Sequence, residues 1–188
     1  MRHASTAWSG RRWCGRTDLP LTAAGEAEAE RLAAGLARAL PGDVELVSSP
    51  LQRALATASP IARALQRDHR IDEALREVDF GQAEGLAWPE LERVLPDLAG
   101  DLAAGRSDID WPGGDSAVAT RERVRGIWLG VEDSDASCIL LVTHGGTIGG
   151  LLSEAGVDDD GAMVPPASAT RLRRSHGGWS VSGPRRAG

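Results

Sequence analysis

The segment Cys138-Ile139-Leu140-Leu141-Val142-Thr143-His144-Gly145-Gly146 decides the fold class of this chain. Its first five residues form an unbroken apolar run, which is typical of a strand buried on both faces of a parallel sheet. A helix is expected to follow His144, and in such folds sites form outside the carboxyl ends of the strands. The segment therefore predicts an α/β fold with His144 at the edge where chemistry takes place.

Strands and helices alternate on both sides of this segment. Residues 22–40 predict a helix with Thr22 as N-cap, residues 44–48 a strand, and residues 50–66 a helix with Ser49 as N-cap and Pro60 inside. A helix capped by Ser116 is expected to run to residue 131, and residues 169–181 favour a hairpin. We therefore predict one domain over residues 1–188, a three-layer α/β/α fold with a mostly parallel central sheet.

The middle of the chain is less regular. Residues 76–85 are predicted to be loop, residues 89–98 a short helix, and the Gly- and Asp-containing stretch through residues 111–114 loop again. We interpret this region as a helical excursion that caps the site.

Composition excludes several classes of function. The chain contains no lysine, so all 21 of its Lys+Arg residues are arginine, and neither a P-loop nor a pyridoxal Schiff base can form. The net charge of −6 and the pI of about 5.2 argue against a general nucleic-acid binder. No apolar run approaches the length of a membrane span. Cys14, Cys138 and the four histidines lack the spacing of metal ligands, so we predict no metal, no cofactor and a cytoplasmic location.

Six short motifs occur in a fixed order: Arg2-His3-Ala4-Ser5-Thr6, Gly15-Arg16-Thr17-Asp18, Ser48-Ser49-Pro50-Leu51-Gln52-Arg53, Glu77-Val78-Asp79-Phe80-Gly81, Pro112-Gly113-Gly114-Asp115-Ser116 and Thr143-His144-Gly145-Gly146. Together they resemble the histidine phosphatase superfamily, in its phosphoglycerate-mutase-like branch, which includes α-ribazole phosphatase-like members. The resemblance covers residues 1 to about 182. It implies attack on phosphorus by a histidine.

The resemblance implies a role for each matching residue. His3 is the nucleophile, His144 is a second histidine that is protonated and bonded to the phosphate, and Glu77 is the general acid and base. Its phosphate ligands are Arg2, Arg53, His144, Thr6 and Ser9. Arginine suits such a site because its forked donors match phosphate oxygens. Glu73, Asp79 and Glu84 stay open as competitors of Glu77.

The family places a hydrophobic strand directly before its Arg-His pair, whereas only Met1 precedes Arg2 here. We therefore expect either that the natural chain starts upstream of Met1 or that the first central strand is missing or truncated, which would leave His3 on a mobile terminus. Ala4 and Ser9 also depart from the residues usual in the family, which are Gly and Asn.

The predicted function is metal-independent hydrolysis of a small phosphate monoester through a phosphohistidine. Two alternatives keep the same site: phosphoryl transfer of the cofactor-dependent phosphoglycerate mutase type, and a phosphoprotein (phosphohistidine) phosphatase. A non-catalytic protein that holds a phosphorylated ligand is a third reading. The expected partner is a small phosphorylated substrate, with no nucleic acid and no membrane, and a homodimer stays open.

Overall fold

A parallel sheet lies at the centre of the molecule. The computed structural model describes residues 1–40, 43–157, 164–176, 178–181 and 186–187. Strands β1 (Glu45–Ser48), β2 (His69–Ile71) and β3 (Ile139–Val142) pair in parallel in the order β2-β1-β3. Their carboxyl ends therefore meet at one edge, as the apolar run before His144 predicts.

Helices cover both faces of this sheet. They are α1 (Ala23–Ala39), α2 (Gln52–Leu65), α3 (Trp88–Val94), α4 (Pro96–Ala103), α5 (Ala117–Glu132) and α6 (Gly145–Glu154). Leu140 and Val142 of β3 pack in the cluster that includes α1 and α2, whereas Leu141 between them packs against α5 and α6. Alternate residues of a strand face opposite sides, so the three-layer arrangement is confirmed.

The segment Met1–His3 lies inside the sheet. The backbone N–H of His3 donates to the Thr143 carbonyl (3.0 Å), and the Thr143 N–H donates to the Met1 carbonyl (2.9 Å). On its other side, the Arg2 N–H donates to Ser168 and the Ala167 N–H to His3, both at 3.0 Å. This short segment therefore adds to the sheet beside the end of β3.

The expectation of a mobile His3 is wrong. Met1 is 8% exposed and His3 is 4% exposed. Hydrogen bonds on both sides fix the backbone, and the Ala4 N–H is bound in addition by the Thr57 hydroxyl (2.9 Å).

Two of the predicted helices differ from the observed ones. Instead of one helix over residues 89–98, α3 and α4 meet at Leu95, whose φ of −132° and ψ of 64° are not helical; the proline that follows disfavours the helical conformation at that residue. Helix α2 begins after Leu51, which supplies no side-chain cap; the predicted cap, Ser49, lies two residues earlier, where its hydroxyl accepts from the Leu51 N–H (3.4 Å) and bonds a histidine. Thr22 and Ser116 cap α1 and α5 as predicted.

The carboxyl-terminal residues form short strands. Strand β4 (Ser168–Ala169) pairs with β7 (Arg186–Ala187), and β5 (Leu172–Ser175) forms the predicted hairpin with β6 (Gly178–Val181). The hairpin starts at Leu172, later than predicted. In the described ranges, no helix combines the length and apolar character that spanning a membrane requires.

The excursion between β2 and α5 has a small core of its own. It contains the 3-10 turns Glu73–Leu75 and Gly81–Ala83 as well as α3 and α4. Phe80, Leu91 and neighbouring apolar residues are buried there, with Trp13 and Trp111 packed against them. Gly81 has a φ of +50°, and a side chain on it would collide with the Pro112 carbonyl. This core fixes the segment that carries Glu77.

Candidate active site

Three elements bring His3, Arg53 and His144 together at the carboxyl edge of the sheet. His3 follows the short first segment, Arg53 lies in the first turn of α2, and His144 lies between β3 and α6. Arg53 and His144 are both 0% exposed. The two imidazole rings are 5.1 Å apart between centroids, tilted by 57°. Burying the charge of an arginine between two histidines costs free energy, so this arrangement is more typical of a functional site than of a structural core.

The tautomer of His3 follows from its neighbours. Its Nδ1 lies 2.7 Å from the Ala4 carbonyl oxygen, which only accepts, so Nδ1 carries the proton. Its Nε2 lies 3.2 Å from Nε of Arg53, which only donates, so Nε2 holds the lone pair. Burial, together with the positive charge of Arg53, lowers the pKa of His3 to about 3. His3 is therefore a neutral imidazole with its lone pair turned into the site.

His144 is neutral in the site without phosphate, and its predicted protonation in contact with a phosphate stays a prediction. Its Nδ1 accepts from Nε of Arg53 (3.2 Å), and its Nε2 lies 2.8 Å from the Ser49 hydroxyl. Burial and the charge of Arg53 hold the pKa of His144 well below its usual value. One Arg53 N–H thus lies between the lone pairs of both histidines.

The remaining donors of Arg53 anchor the loop of residues 14–17. They bind the carbonyl oxygens of Gly15 (2.7 Å) and Thr17 (2.8 Å). From the other side, the Glu84 carboxylate accepts from the backbone N–H groups of the same two residues at 3.0 Å. Glu84 therefore orients this loop, and the loop orients the guanidinium.

Arg2 brings a second guanidinium to the site. Its Nη1 donates to the Val164 carbonyl (2.6 Å), while its buried Nε has no hydrogen-bond partner among the described residues. Burial lowers its pKa, and the charge of Glu77 opposes this shift. A buried donor without a partner is unfavourable, and an anionic oxygen would satisfy it.

Glu77 is 5% exposed and faces the start of α6. Its two carboxylate oxygens accept from the backbone N–H groups of Gly146 (3.0 Å) and Thr147 (3.1 Å). A methyl group on Gly145 would lie 3.9 Å from both Cζ of Arg2 and the Glu77 carboxylate. The helix start therefore fixes the carboxylate close to Arg2.

The model of the histidine phosphatase superfamily (branch 1) matches residues 1–185. The chain belongs to this superfamily. It is 36% identical over 155 residues to "Probable phosphoglycerate mutase GpmB" of Salmonella paratyphi C (strain RKS4594), which covers 81% of this chain and 71% of that protein. This histidine phosphatase superfamily member is thus an enzyme with relatives of the phosphoglycerate mutase type.

Solved structures of two further proteins are similar to this superfamily member. The phosphoglycerate mutase from Thermus thermophilus is 38% identical with a TM-score of 0.69, over 90% of this chain and 88% of that one. The structure called "Mycobacterial hydrolase 1" is 26% identical with a TM-score of 0.84, over 100% of this chain and 96% of that one. The names of the relatives thus include both a mutase and a hydrolase.

The structure distinguishes Glu77 from the competing carboxylates. Glu73 is 71% exposed and pairs with Arg76 at 2.7 Å, and Glu84 is occupied by the loop of residues 14–17. Asp79 accepts from the Gly81 N–H (3.0 Å) within its own turn. Glu77 alone of these four contacts the start of α6, within the described residues.

Thr6 and Ser9 are not joined to the histidines and arginines by hydrogen bonds in the described part of the chain. The Ser9 hydroxyl accepts from the Thr6 N–H (2.9 Å) and lies 3.3 Å from the Thr6 hydroxyl. Their predicted contact with phosphate stays a prediction. No group of three or more His, Cys, Asp or Glu residues suited to a metal occurs within the described ranges.

Sequence reasoning missed several residues that hold the site. Ser49 bonds His144, Thr57 bonds the backbone after His3, and Thr147 donates from its hydroxyl to the Arg76 carbonyl (2.8 Å). Ser49 lies in a quoted motif, so its position was a usable signal. Thr57 and Thr147 are helical residues without a motif, and their roles emerge only from the packing.

Proposed function

We propose that this enzyme hydrolyses a small phosphate monoester through a phosphohistidine on His3, without a metal ion. The observation that carries the proposal is the buried, neutral His3, whose Nδ1 is held by the Ala4 carbonyl and whose Nε2 lone pair lies beside the Arg53 guanidinium. A neutral imidazole is a nucleophile, and two arginines offer charge to the oxygens of the group in transfer.

In the first step, Nε2 of His3 attacks phosphorus and the bond from phosphorus to the ester oxygen breaks. The leaving oxygen takes a proton from the carboxyl group of Glu77. Arg2 and Arg53 stabilise the charge on the phosphoryl oxygens, and the bound dianion favours uptake of a proton from solvent by His144, which then donates to the phosphate.

In the second step, water attacks the phosphohistidine. Glu77, now a carboxylate, takes a proton from this water while the oxygen bonds to phosphorus and the bond to Nε2 breaks. Inorganic phosphate leaves and His3 regains its lone pair. His3 and Glu77 thus return to the states in which they entered the first step, and His144 gives its proton back to solvent when phosphate leaves, so the cycle is complete.

The short excursion favours hydrolysis over mutase chemistry. A mutase must keep water from its phosphohistidine and return the phosphoryl group to a bound acid. The connection between Glu77 and α5 holds only the short helices α3 and α4 in addition to turns. The name of "Mycobacterial hydrolase 1" agrees with hydrolysis, whereas the two mutase relatives make phosphoglycerate mutase activity the second candidate.

Release of phosphate from 4-nitrophenyl phosphate, measured with and without a chelator, tests the proposal. We expect turnover that the chelator does not change and that His3→Ala reduces by at least about 10³-fold. His176→Ala is the matched control, since His176 is exposed. Undiminished turnover in His3→Ala would end the proposal.

A second assay separates the two candidates. Incubation with 3-phosphoglycerate and 2,3-bisphosphoglycerate yields inorganic phosphate if the enzyme is a hydrolase and 2-phosphoglycerate if it is a mutase. A phosphohistidine protein offered as substrate covers the remaining alternative. Isomerisation faster than phosphate release would replace the proposed reaction with the second candidate.

A further inference from the structure

We propose that Asp115 and Arg123 form a clamp that positions Glu77 for proton transfer to the leaving group. The inference rests on the proposed function, because it assumes that Glu77 is the general acid. Among the described residues, neither the Asp115 side chain nor the Arg123 side chain forms a hydrogen bond or an ion pair with Glu77, so both are positioning residues.

Arg123 holds the chain before Glu77. It projects from α5, and its Nη1 donates to the carbonyl oxygens of Ala74 and Arg76, both at 2.8 Å. The Arg76 carbonyl also accepts from the Thr147 hydroxyl (2.8 Å). The peptide group that enters Glu77 is thus bound by α5 on one side and by α6 on the other.

Asp115 holds the chain after Glu77. Its Oδ2 accepts from the backbone N–H of Asp79 (3.1 Å), and the Asp79 carbonyl accepts from the Asp115 N–H (2.9 Å). The same Oδ2 lies 3.8 Å from Nη2 of Arg123 and 3.4 Å from Nη2 of Arg16. The two halves of the clamp are therefore joined by an ion pair.

Glu77 needs such a clamp because no regular strand carries it. The residues around it lie between two 3-10 turns, so a ladder of strand hydrogen bonds does not fix its backbone. The side chains of Asp115 and Arg123 are only 23% and 17% exposed, which limits the freedom of the pair. A displacement of about 1 Å at a catalytic group can lower a rate by about 10²-fold.

Leaving groups of different basicity reveal this role. Nitrophenolate departs without a proton, whereas an alkoxide needs one from Glu77. We expect Arg123→Met to lower kcat/KM about 10- to 100-fold for 2-phenylethyl phosphate, because general acid catalysis contributes about 10²- to 10⁴-fold. For 4-nitrophenyl phosphate, whose kcat/KM reports only the first step, we expect a loss below about 3-fold.

Three further variants complete the experiment. Arg125→Met removes an exposed arginine from the same helix and should leave both substrates unchanged. Asp115→Asn keeps the size of the side chain and loses its charge, so it should show the same selectivity if Arg123→Met fails to fold. Glu77→Gln should show the largest selective loss.

The outcomes separate the clamp from the proposed function. A selective loss in Glu77→Gln and in both clamp variants supports the inference. An equal loss on both substrates in Arg123→Met or Asp115→Asn, or wild-type values in both, overturns the clamp while Glu77 keeps its role. Wild-type values in Glu77→Gln would instead contradict the proposed acid and leave the clamp without a function, which also overturns it.

Discussion

The two sides of the site are held by different interactions. His3 and His144 are fixed by the sheet, since His3 pairs directly with the strand that ends before His144. Glu77, opposite, lies in a segment without regular strands and is held by side chains and a helix start. Backbone hydrogen bonds of the sheet thus fix the histidine side, whereas individual side-chain contacts and a helix start fix the glutamate side.

This difference indicates where each side is vulnerable. A side chain on the glutamate side can be moved by one substitution, while the fold of the sheet stays intact. The histidines resist displacement, but their side of the site contains buried polar groups, above all Arg53, whose desolvation costs free energy of folding. Substitutions on the glutamate side should therefore lower activity selectively, whereas substitutions on the histidine side should lower both activity and stability.

The largest effect is expected for Arg53→Met. The substitution removes the donor shared by His3 and His144 and leaves the carbonyl oxygens of Gly15 and Thr17 without their partner. We expect kcat/KM to fall by at least about 10³-fold and unfolding in urea to show a loss of about 3 kcal/mol. The control is Arg63→Met on the same helix, where the side chain is 66% exposed. Retention of wild-type activity in Arg53→Met would contradict the assigned role.

Gly146→Ala should lower activity on the glutamate side while leaving the fold intact. The added methyl group would lie 2.9 Å from Oε1 of Glu77, so the carboxylate must move. We expect about a 10- to 100-fold loss of kcat/KM on an alkyl phosphate. At Gly145 the nearest atoms are 3.9 Å away, so Gly145→Ala should keep its activity. Equal behaviour of the two variants would show that Glu77 is not held as described.

The buried histidines make stability depend on pH. Because the pKa of His3 is lowered to about 3 and that of His144 lies well below its usual value, the unfolded chain binds more protons below about pH 6.5. The free energy of unfolding should therefore fall by about 1.4 kcal/mol for each histidine between about pH 7.5 and about pH 5.5. Urea titrations at the two pH values measure this change. His3→Gln should lose about half of the dependence, and an unchanged slope would argue against a buried neutral His3.

The smallest effect is expected for two glycine substitutions in α5, on the face of the sheet that this helix covers. Gly126 and Gly130 of α5 line a cavity of about 120 Å³ against β1 and β3, and a methyl group on either would meet no atom within 4 Å. Gly126→Ala and Gly130→Ala should each stabilise the protein by about 0.5 to 1 kcal/mol, since alanine favours the helix. Thermal unfolding measures the gain, and activity should not change. A lower melting temperature in these variants would show that the cavity beside α5 does not accommodate a methyl group.

The same contrast explains what the sequence could predict. The apolar run before His144 and the caps Thr22 and Ser116 are local signals, so β3, α1 and α5 were predicted from them. Strand β2 was missed because His69–Ile71 is short and largely exposed. Ser49 was expected to cap a helix, but its hydroxyl bonds His144 across the fold, which local propensity does not reveal.

The site residues divide in the same way. The motifs identified Arg2, His3, Arg53, His144 and Glu77, and the structure brings these side chains together. The neutral state of His144 in the site without phosphate depends on burial and on the charge of Arg53, and no motif indicates it because both follow from tertiary packing. Asp115 was quoted only as part of a motif, and Arg123 has no local pattern of its own, so the positioning role proposed for them rests on three-dimensional contacts.

Rapid quenching of a single turnover tests the central claim most directly. With an excess of enzyme over a labelled phosphate monoester, we predict a transient phosphoenzyme that is stable in alkali, labile in acid and located by peptide mass analysis on His3. The intermediate should be absent in His3→Ala and present in the His176→Ala control. Turnover of the wild-type enzyme without any such intermediate, or a phosphoryl group on His144 in place of His3, would contradict the account.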